Sequence, residues 1–181
     1  MLQENENGII YISGLSASGK TTLAYRLIKR LHNNNKQVML MDGTEMYKHS
    51  ILFPFEGRNL SDREARSSHS VRIAKWISSQ GIIPIVAVIG QPVTIRDEWE
   101  DQFVNFNEIY LNCSIETCLK RDNKDLYNEK KGGNSIIGID NQYIPPKDPW
   151  LEIKTDNFTP EEVSRIAWEN ITKLDWMRKI K

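Results

Sequence analysis

The sequence has little of what would staple a chain, anchor it in a membrane or bind nucleic acid broadly. Its two cysteines, Cys113 and Cys118, belong to no Cys-x-x-Cys pair and no Cys/His cluster, which argues against a zinc site and a disulfide scaffold. They are expected as reduced core or helix residues. There is no excess of charge of either sign, since 24 Lys plus Arg meet 24 Asp plus Glu. The chain therefore lacks the broad cationic field that non-specific nucleic-acid binding requires, and a small, locally held anion is the expected partner. No apolar run approaches membrane-spanning length, and Met1–Asn7 is polar and acidic rather than a signal peptide. The expectation is a cytoplasmic protein with no membrane partner. There is no internal repeat or low-complexity tract; Asn33-Asn34-Asn35 and Gly132-Gly133-Asn134 read as turns. A length of 181 residues suits one α/β domain with a full core, so a single domain over 1–181 is expected.

What is present starts with Gly14-Leu15-Ser16-Ala17-Ser18-Gly19-Lys20-Thr21, which fills every fixed position of the phosphate-binding pattern G-x-x-x-x-G-K-[ST]. Its context fits. Ile9–Ile12 reads as a buried parallel strand, and Thr22–Leu31 repeats apolar residues at helical spacing. Glycines let backbone N–H groups approach a phosphate closely, and the helix N-terminus adds its dipole. Lys20 would reach the β- and γ-phosphates, and the Thr21 hydroxyl would hold Mg²⁺.

Gln37–Met41 reads as a second buried strand ending on Asp42-Gly43. An acid at the carboxyl end of a strand faces the crevice where α/β sheets bind ligands. Asp42 is thus a candidate for Mg²⁺ positioning or for general-base work on an acceptor hydroxyl, with a turn-forming Asp-Gly pair as the plain alternative. Residues 44–60, with Phe53-Pro54-Phe55, read as an irregular loop with at most one helical turn. Ser61 and Glu64 form a capping-box signature for a helix running to Gln80 and stopped by Gly81. On it Arg63, Arg66 and His69 lie near one face, as an anion-binding surface or as solvated charges.

Ile82–Ile89 is the most hydrophobic run and reads as a central strand buried on both faces, with Pro84 near its start. Val93–Phe103 contains a polar helix, Glu108–Asn112 a strand and Ile115–Arg121 a helix. This alternation implies a parallel sheet flanked by helices. From Asp122 to Pro149 the composition turns to Lys, Asn, Gly, Asp and Pro. Lys124, Lys130 and Lys131 flank Tyr127 there, in a mobile basic lid or an ordinary solvated loop. Leu151–Thr155 reads as a weaker strand. Thr159 caps a last helix with Pro160 in first position and a stripe of Val163, Ile166, Ala167, Ile171 and Leu174. Trp168 and Trp176 read as packing residues.

Taken together, Gly14–Ala24, Asp42-Gly43, Asp62-Arg63, Arg121-Asp122-x-Lys124-x-Leu126-Tyr127 and Gly138-Ile139-Asp140-x-x-Tyr143-x-x-Pro146 resemble the adenylyl-sulfate (APS) kinases, in the same order and over nearly the whole chain. The resemblance implies an α/β, three-layer P-loop NTPase fold with a central parallel sheet and a basic lid at about 122–149. It also implies transfer of the ATP γ-phosphate to the ribose 3′-hydroxyl of adenylyl sulfate. Carried over by position, Gly14, Ser16, Ala17, Ser18, Gly19, Lys20, Thr21, Thr22 and Arg121 would bind ATP. Thr21 and Asp42 would hold Mg²⁺, and Asp42, Lys20 and Lys124 would carry the chemistry. Asp42, Tyr47, Arg63, Arg66, Ile89, Lys124 and Ile136 would face a small anionic nucleotide-like acceptor. A homodimer is left open.

The departures fall on the acceptor side. The family's Asp-Gly-Asp-x-x-Arg is here Asp42-Gly43-Thr44-Glu45-Met46-Tyr47, without the second acid and the arginine. Its Asp-Arg-x-x-Asn-x-x-Arg is Asp62-Arg63-Glu64-Ala65-Arg66-Ser67-Ser68-His69, and the aromatic before Gly-Ile-Asp is Ile136 or Ile137. Adenylyl sulfate is the family default. The alternatives are the same chemistry on another nucleotide-linked acceptor, as in the similar kinases that phosphorylate cytidine diphosphoramidate for capsule synthesis, and a regulatory protein that binds ATP without turnover.

Overall fold

A computed structural model describes residues 8–49, 51, 60–123, 125–127 and 135–179. Lys124, Lys130, Lys131, the Phe53-Pro54-Phe55 segment, the expected turn at Gly132-Gly133-Asn134 and the N-terminal seven residues lie outside the described residues.

The β-rich runs form five strands: β1 (Gly8–Ser13), β2 (Val38–Asp42), β3 (Ile83–Ala87), β4 (Asn105–Asn112) and β5 (Leu151–Lys154). They pair in parallel in the order β2-β3-β1-β4-β5. Because strand side chains alternate, β1 serves two cores at once. Ile10 and Ile12 pack with Leu23, Leu27 and Leu31 of α1 (Lys20–Asn33) and with Ala167 and Ile171 of the C-terminal helix Pro160–Ile171. Ile9 and Tyr11 turn to the other face. There they meet Val71, Ala74 and Ile77 of the long helix Leu60–Ser79 and Ile95 and Trp99 of the helix Val93–Gln102. With α2 (Gly43–Lys48) and a helix over Ile115–Arg121 placed between them in sequence, these are α3 (Leu60–Ser79), α4 (Val93–Gln102), α5 (Ile115–Arg121) and α6 (Pro160–Ile171); a short α7 (Asp175–Lys179) follows. The result is the expected three-layer architecture, a parallel sheet between two helical layers.

Several boundaries and burial assignments differ from the sequence expectation. The central position belongs to β1, and β3 is an interior strand beside it. The apolar run after Ala87 leaves the sheet: Val88 and Ile89 are half-buried and line a cavity. The β2 strand is an edge strand, so Met39 is 42% exposed although its neighbours in sequence are equally apolar. Helix α3 begins at Leu60, which places Ser61 inside its first turn rather than at the cap. The "polar" helix α4 buries Ile95, Arg96 and Trp99. At α6 the start is as expected, with Thr159 as cap and Pro160 at the first position, and Thr159 and Glu162 form a capping box worth about 1 kcal/mol; the helix ends at Ile171, so Leu174 lies beyond it and α7 is the last helix. Trp176 is a packing residue that donates its indole N–H to Asn107 Oδ1 at 2.9 Å.

Candidate active site

Where β1 ends, its neighbours diverge, with β3 on one side and β4 on the other, and a ligand crevice opens outside the strand ends. The chain crosses it through Gly14–Gly19 before entering α1. Gly14 has φ +141°, and a Cβ there would stand 2.7 Å from the Leu111 carbonyl oxygen and 2.9 Å from Ser18 Oγ. Gly19 has φ +104° with open space around it, and Ala17 takes a left-handed φ of 58° despite its side chain. Strained backbone of this kind persists where a ligand needs the resulting shape. No side chain caps α1, which leaves its first N–H groups to a ligand, and the Ser18 hydroxyl is buried with no hydrogen-bond partner among the described residues. Both features fit a bound phosphate.

Lys20 lies folded back over this loop, donating from Nζ to the carbonyls of Gly14 at 2.9 Å and Leu15 at 2.5 Å. Desolvation lowers its pKa to about 8. One residue on, Thr21 Oγ1 donates to Asp42 Oδ2 at 2.6 Å. Asp42 is buried, and its Oδ1 accepts the N–H groups of Thr44 at 2.9 Å and Glu45 at 3.2 Å, capping α2. The carboxylate therefore has two faces: one oxygen fixes the start of α2, and the other faces the phosphate loop. A hydroxyl beside a carboxylate suits Mg²⁺ that draws its remaining ligands from phosphate and water. Among the described residues no group of three His, Cys, Asp or Glu side chains could hold a metal without such help.

One cavity of about 920 Å³ joins these groups to the rest of the site. Arg121, Asn123, Leu126 and Phe158 also line it. Arg121 is held by donation to the Thr155 carbonyl at 3.0 Å, and Phe158 is 39% exposed. Phe158 was not legible as a site residue, because it sits between a 3-10 turn and a helix cap with no pattern of its own. Tyr127 braces the loop from outside, donating its hydroxyl to the Ser16 carbonyl at 2.8 Å. Beneath it Leu15, Cys113, Cys118, Tyr127 and Ile137 form a small apolar cluster, and both thiols are free and buried. A hydrogen bond from Cys118 brings the Cys113 pKa down to about 6 and pushes that of Cys118 up.

At the other end the cavity is lined by Tyr47, Arg63, Arg66, Ile89, Gln91 and Ile136. The Arg66 guanidinium carbon stands 5.7 Å from the Tyr47 ring centroid, and Arg63 Nη2 donates to the Ser135 carbonyl at 3.2 Å. Asp42 lines the same cavity and links the two sets of residues, bonded to Thr21 and capping the helix that carries Tyr47. The structure thus brings together Ser16, Ala17, Ser18, Gly19, Lys20, Thr21, Thr22, Asp42, Tyr47, Arg63, Arg66, Ile89, Arg121 and Ile136 around one space. Gly14 sits beneath the loop, and His69, grouped with the arginines by sequence, is not among the lining residues.

The family model for adenylylsulphate kinase matches residues 6–154. The chain is 31% identical to an adenylyl-sulfate kinase of Rippkaea orientalis over 94% of both chains. It is 33% identical to a probable adenylyl-sulfate kinase of Archaeoglobus fulgidus, over 82% of this chain and 96% of that one. Among solved structures, the Mycobacterium tuberculosis APS kinase in complex with AMPPNP and APS superimposes with a TM-score of 0.81 at 22% identity, covering 92% of this chain and 98% of that chain.

Proposed function

This chain belongs to the adenylylsulphate kinase family, and from that premise we propose that it transfers the γ-phosphate of ATP to a ribose hydroxyl of a small, anionic, nucleotide-linked acceptor. The observation that carries this reading is the placement of Asp42 in one cavity between a phosphate loop and an end furnished with Arg63, Arg66 and Tyr47. Phosphoryl transfer needs mainly positioning and charge stabilisation, so two anion seats flanking a carboxylate are the required parts.

Lys20 exchanges its loop carbonyls for the β- and γ-phosphate oxygens, and the α1 N-terminus and the Ser18 hydroxyl supply further donors. Thr21 would hold Mg²⁺, with Asp42 organising the ion's water shell, and the ion would offset the charge of the transferring phosphoryl group. Asp42 Oδ2 accepts the proton of the acceptor hydroxyl as the new O–P bond forms and the bond to the β-phosphate oxygen breaks. Its Oδ1 stays committed to α2, which fixes the carboxylate's orientation. Lys124, outside the described residues, is assigned as the lid cation that approaches once both ligands are in place.

Family members act on adenylyl sulfate, and that remains the default. The acceptor end of this chain is furnished differently, with Arg66 facing Tyr47 and an aliphatic residue at Ile136. A planar guanidinium grips an anionic group through paired hydrogen bonds, so a differently shaped acceptor is favoured. The test is a coupled ADP-release assay run side by side on adenylyl sulfate and cytidine diphosphoramidate, repeated with Arg66→Ala. A higher kcat/KM for the second acceptor, lost in Arg66→Ala, is expected. Turnover of adenylyl sulfate at roughly 10⁶ M⁻¹s⁻¹ or above, unchanged by Arg66→Ala, returns the acceptor to the family default. ATP binding without ADP release on either acceptor favours a regulatory protein.

A further inference from the structure

A buried cation lies outside the machinery above. Arg96, on α4, is 5% exposed, and it donates from Nη1 to the Gly90 carbonyl at 3.0 Å and from Nη2 to the Ile144 carbonyl at 2.9 Å. The Gln91 side-chain amide donates to the same Ile144 oxygen at 2.7 Å. Behind it Glu108, also buried, accepts from Ser13 Oγ at 2.5 Å and offers the balancing negative charge.

Removing a guanidinium from water is costly, and an apolar side chain of similar size would often leave a fold equally stable. What arginine supplies and methionine cannot is a rigid fork of donors, here aimed at two backbone segments far apart in sequence. Both segments border the acceptor end. Ile89, Gly90 and Gln91 line the cavity directly. Ile144 follows the turn that carries Ile136, and that turn is rigid in itself. Asp140 N–H donates to the Ile136 carbonyl at 2.9 Å, Gly138 N–H to the Asn141 carbonyl at 2.7 Å, and Ile136 N–H to Asp140 Oδ2 at 2.9 Å. A rigid turn is placed by its attachments. Upstream, Ser135 is held by Arg63 from α3; downstream, Ile144 is held by Arg96 from α4.

We propose that Arg96 is a positioning residue for the acceptor: by joining Gly90 to Ile144 it sets the separation of the two walls between which the acceptor sits, and it does nothing for ATP. The assignment rests on the kinase reading above. A displaced wall misplaces the acceptor hydroxyl relative to the γ-phosphate, and small misplacements are costly in rate.

The test compares the wild type with Arg96→Met, which removes the fork at similar volume, and Arg96→Lys, which keeps the charge but cannot span both carbonyls. For each, KM for the acceptor, ATP affinity and Tm are measured. The expected pattern is an acceptor KM raised about tenfold in the Met variant and less in the Lys variant, with ATP affinity within about twofold of wild type. If the Met variant does not fold, a raised acceptor KM at unchanged ATP affinity in the Lys variant sustains the assignment. An unchanged acceptor KM, or acceptor KM and ATP affinity weakening together with Tm, overturns it and leaves Arg96 as a structural residue. A wild type that releases no ADP with either nucleotide-linked acceptor sinks the kinase reading and this assignment with it. Active wild type with unselective variants sinks the assignment alone.

Discussion

The phosphate loop is one continuous stretch, Gly14–Thr22, whose shape follows from its own backbone torsions, whereas the opposite end of the cavity takes Tyr47 from α2, Arg63 and Arg66 from α3, Ile89 and Gln91 from the segment after β3, and Ile136 from a distant turn. The first is a local solution: glycines at φ +141° and +104° and a helix start make an anion seat wherever strand and helix flank them. The second exists only because α3, α4 and the turn pack together. Its side chains range from the buried Gln91 to the exposed Tyr47, and none of them belongs to the two clusters that flank the sheet. In the proposed reading, such a design lets the acceptor be re-specified while the donor machinery stays constant.

Removal of the donor anchor gives the sharpest contrast. Lys20→Ala is expected to lower phosphoryl transfer by on the order of 10³-fold or more with every acceptor, because the charge on the β- and γ-phosphates loses its counter-ion. Among the described residues the Lys20 ammonium bonds loop carbonyls alone, so the circular dichroism spectrum and the melt are expected to survive. Substantial turnover in the folded variant would sink the assignment of the loop. A loss confined to one acceptor would erase the division between the two ends.

Asp42 belongs to both ends, and its substitution measures how far they are coupled. Asp42→Asn keeps one oxygen able to cap α2 but removes the charge that meets Thr21. A fall in kcat of about 10²-fold, with a smaller effect on ATP affinity, is expected from loss of the base. If ATP affinity collapses while kcat stands, the residue is a cap and turn former rather than a base.

The same division explains what could be read from the sequence. The phosphate loop, the alternation of strands and helices and the Thr159 cap depend on neighbours in the chain, and they appear as expected. The acceptor end depends on packing between remote elements. Its individual residues could be marked by position, but not the Arg66–Tyr47 contact or the hold of Arg63 on Ser135. Arg96 shows the limit most clearly. In the polar run of Arg96, Asp97, Glu98 and Glu100 nothing sets it apart, and only the approach of Gly90 and Ile144 makes it an interior residue. Met39 errs in the opposite direction, an apolar residue exposed because β2 lies at the sheet edge.

A smaller effect, confined to the nucleotide end, follows from the protonation of Lys20. Burial holds its pKa near 8, below the value of roughly 10.4 for an unfolded lysine. Between those values the folded chain binds fewer protons than the unfolded one, so this group's contribution to stability rises with pH across that window. ATP binding moves the other way. The phosphates favour the ammonium, so ligand binding takes up a proton once the free lysine has lost it, and affinity falls as pH climbs past about 8. Calorimetric titration of ATP at pH 7 and pH 9 is expected to show about tenfold weaker binding at the higher pH, one decade for one unit beyond the pKa. Lys20→Arg keeps its charge throughout and is expected to flatten the pH dependence even where it binds more weakly. Affinity that is level from pH 7 to pH 9 in the wild type would mean that Lys20 stays charged in the free protein. The loop carbonyls would then offset its desolvation, and the nucleotide end would be less sensitive to its own burial than the geometry implies.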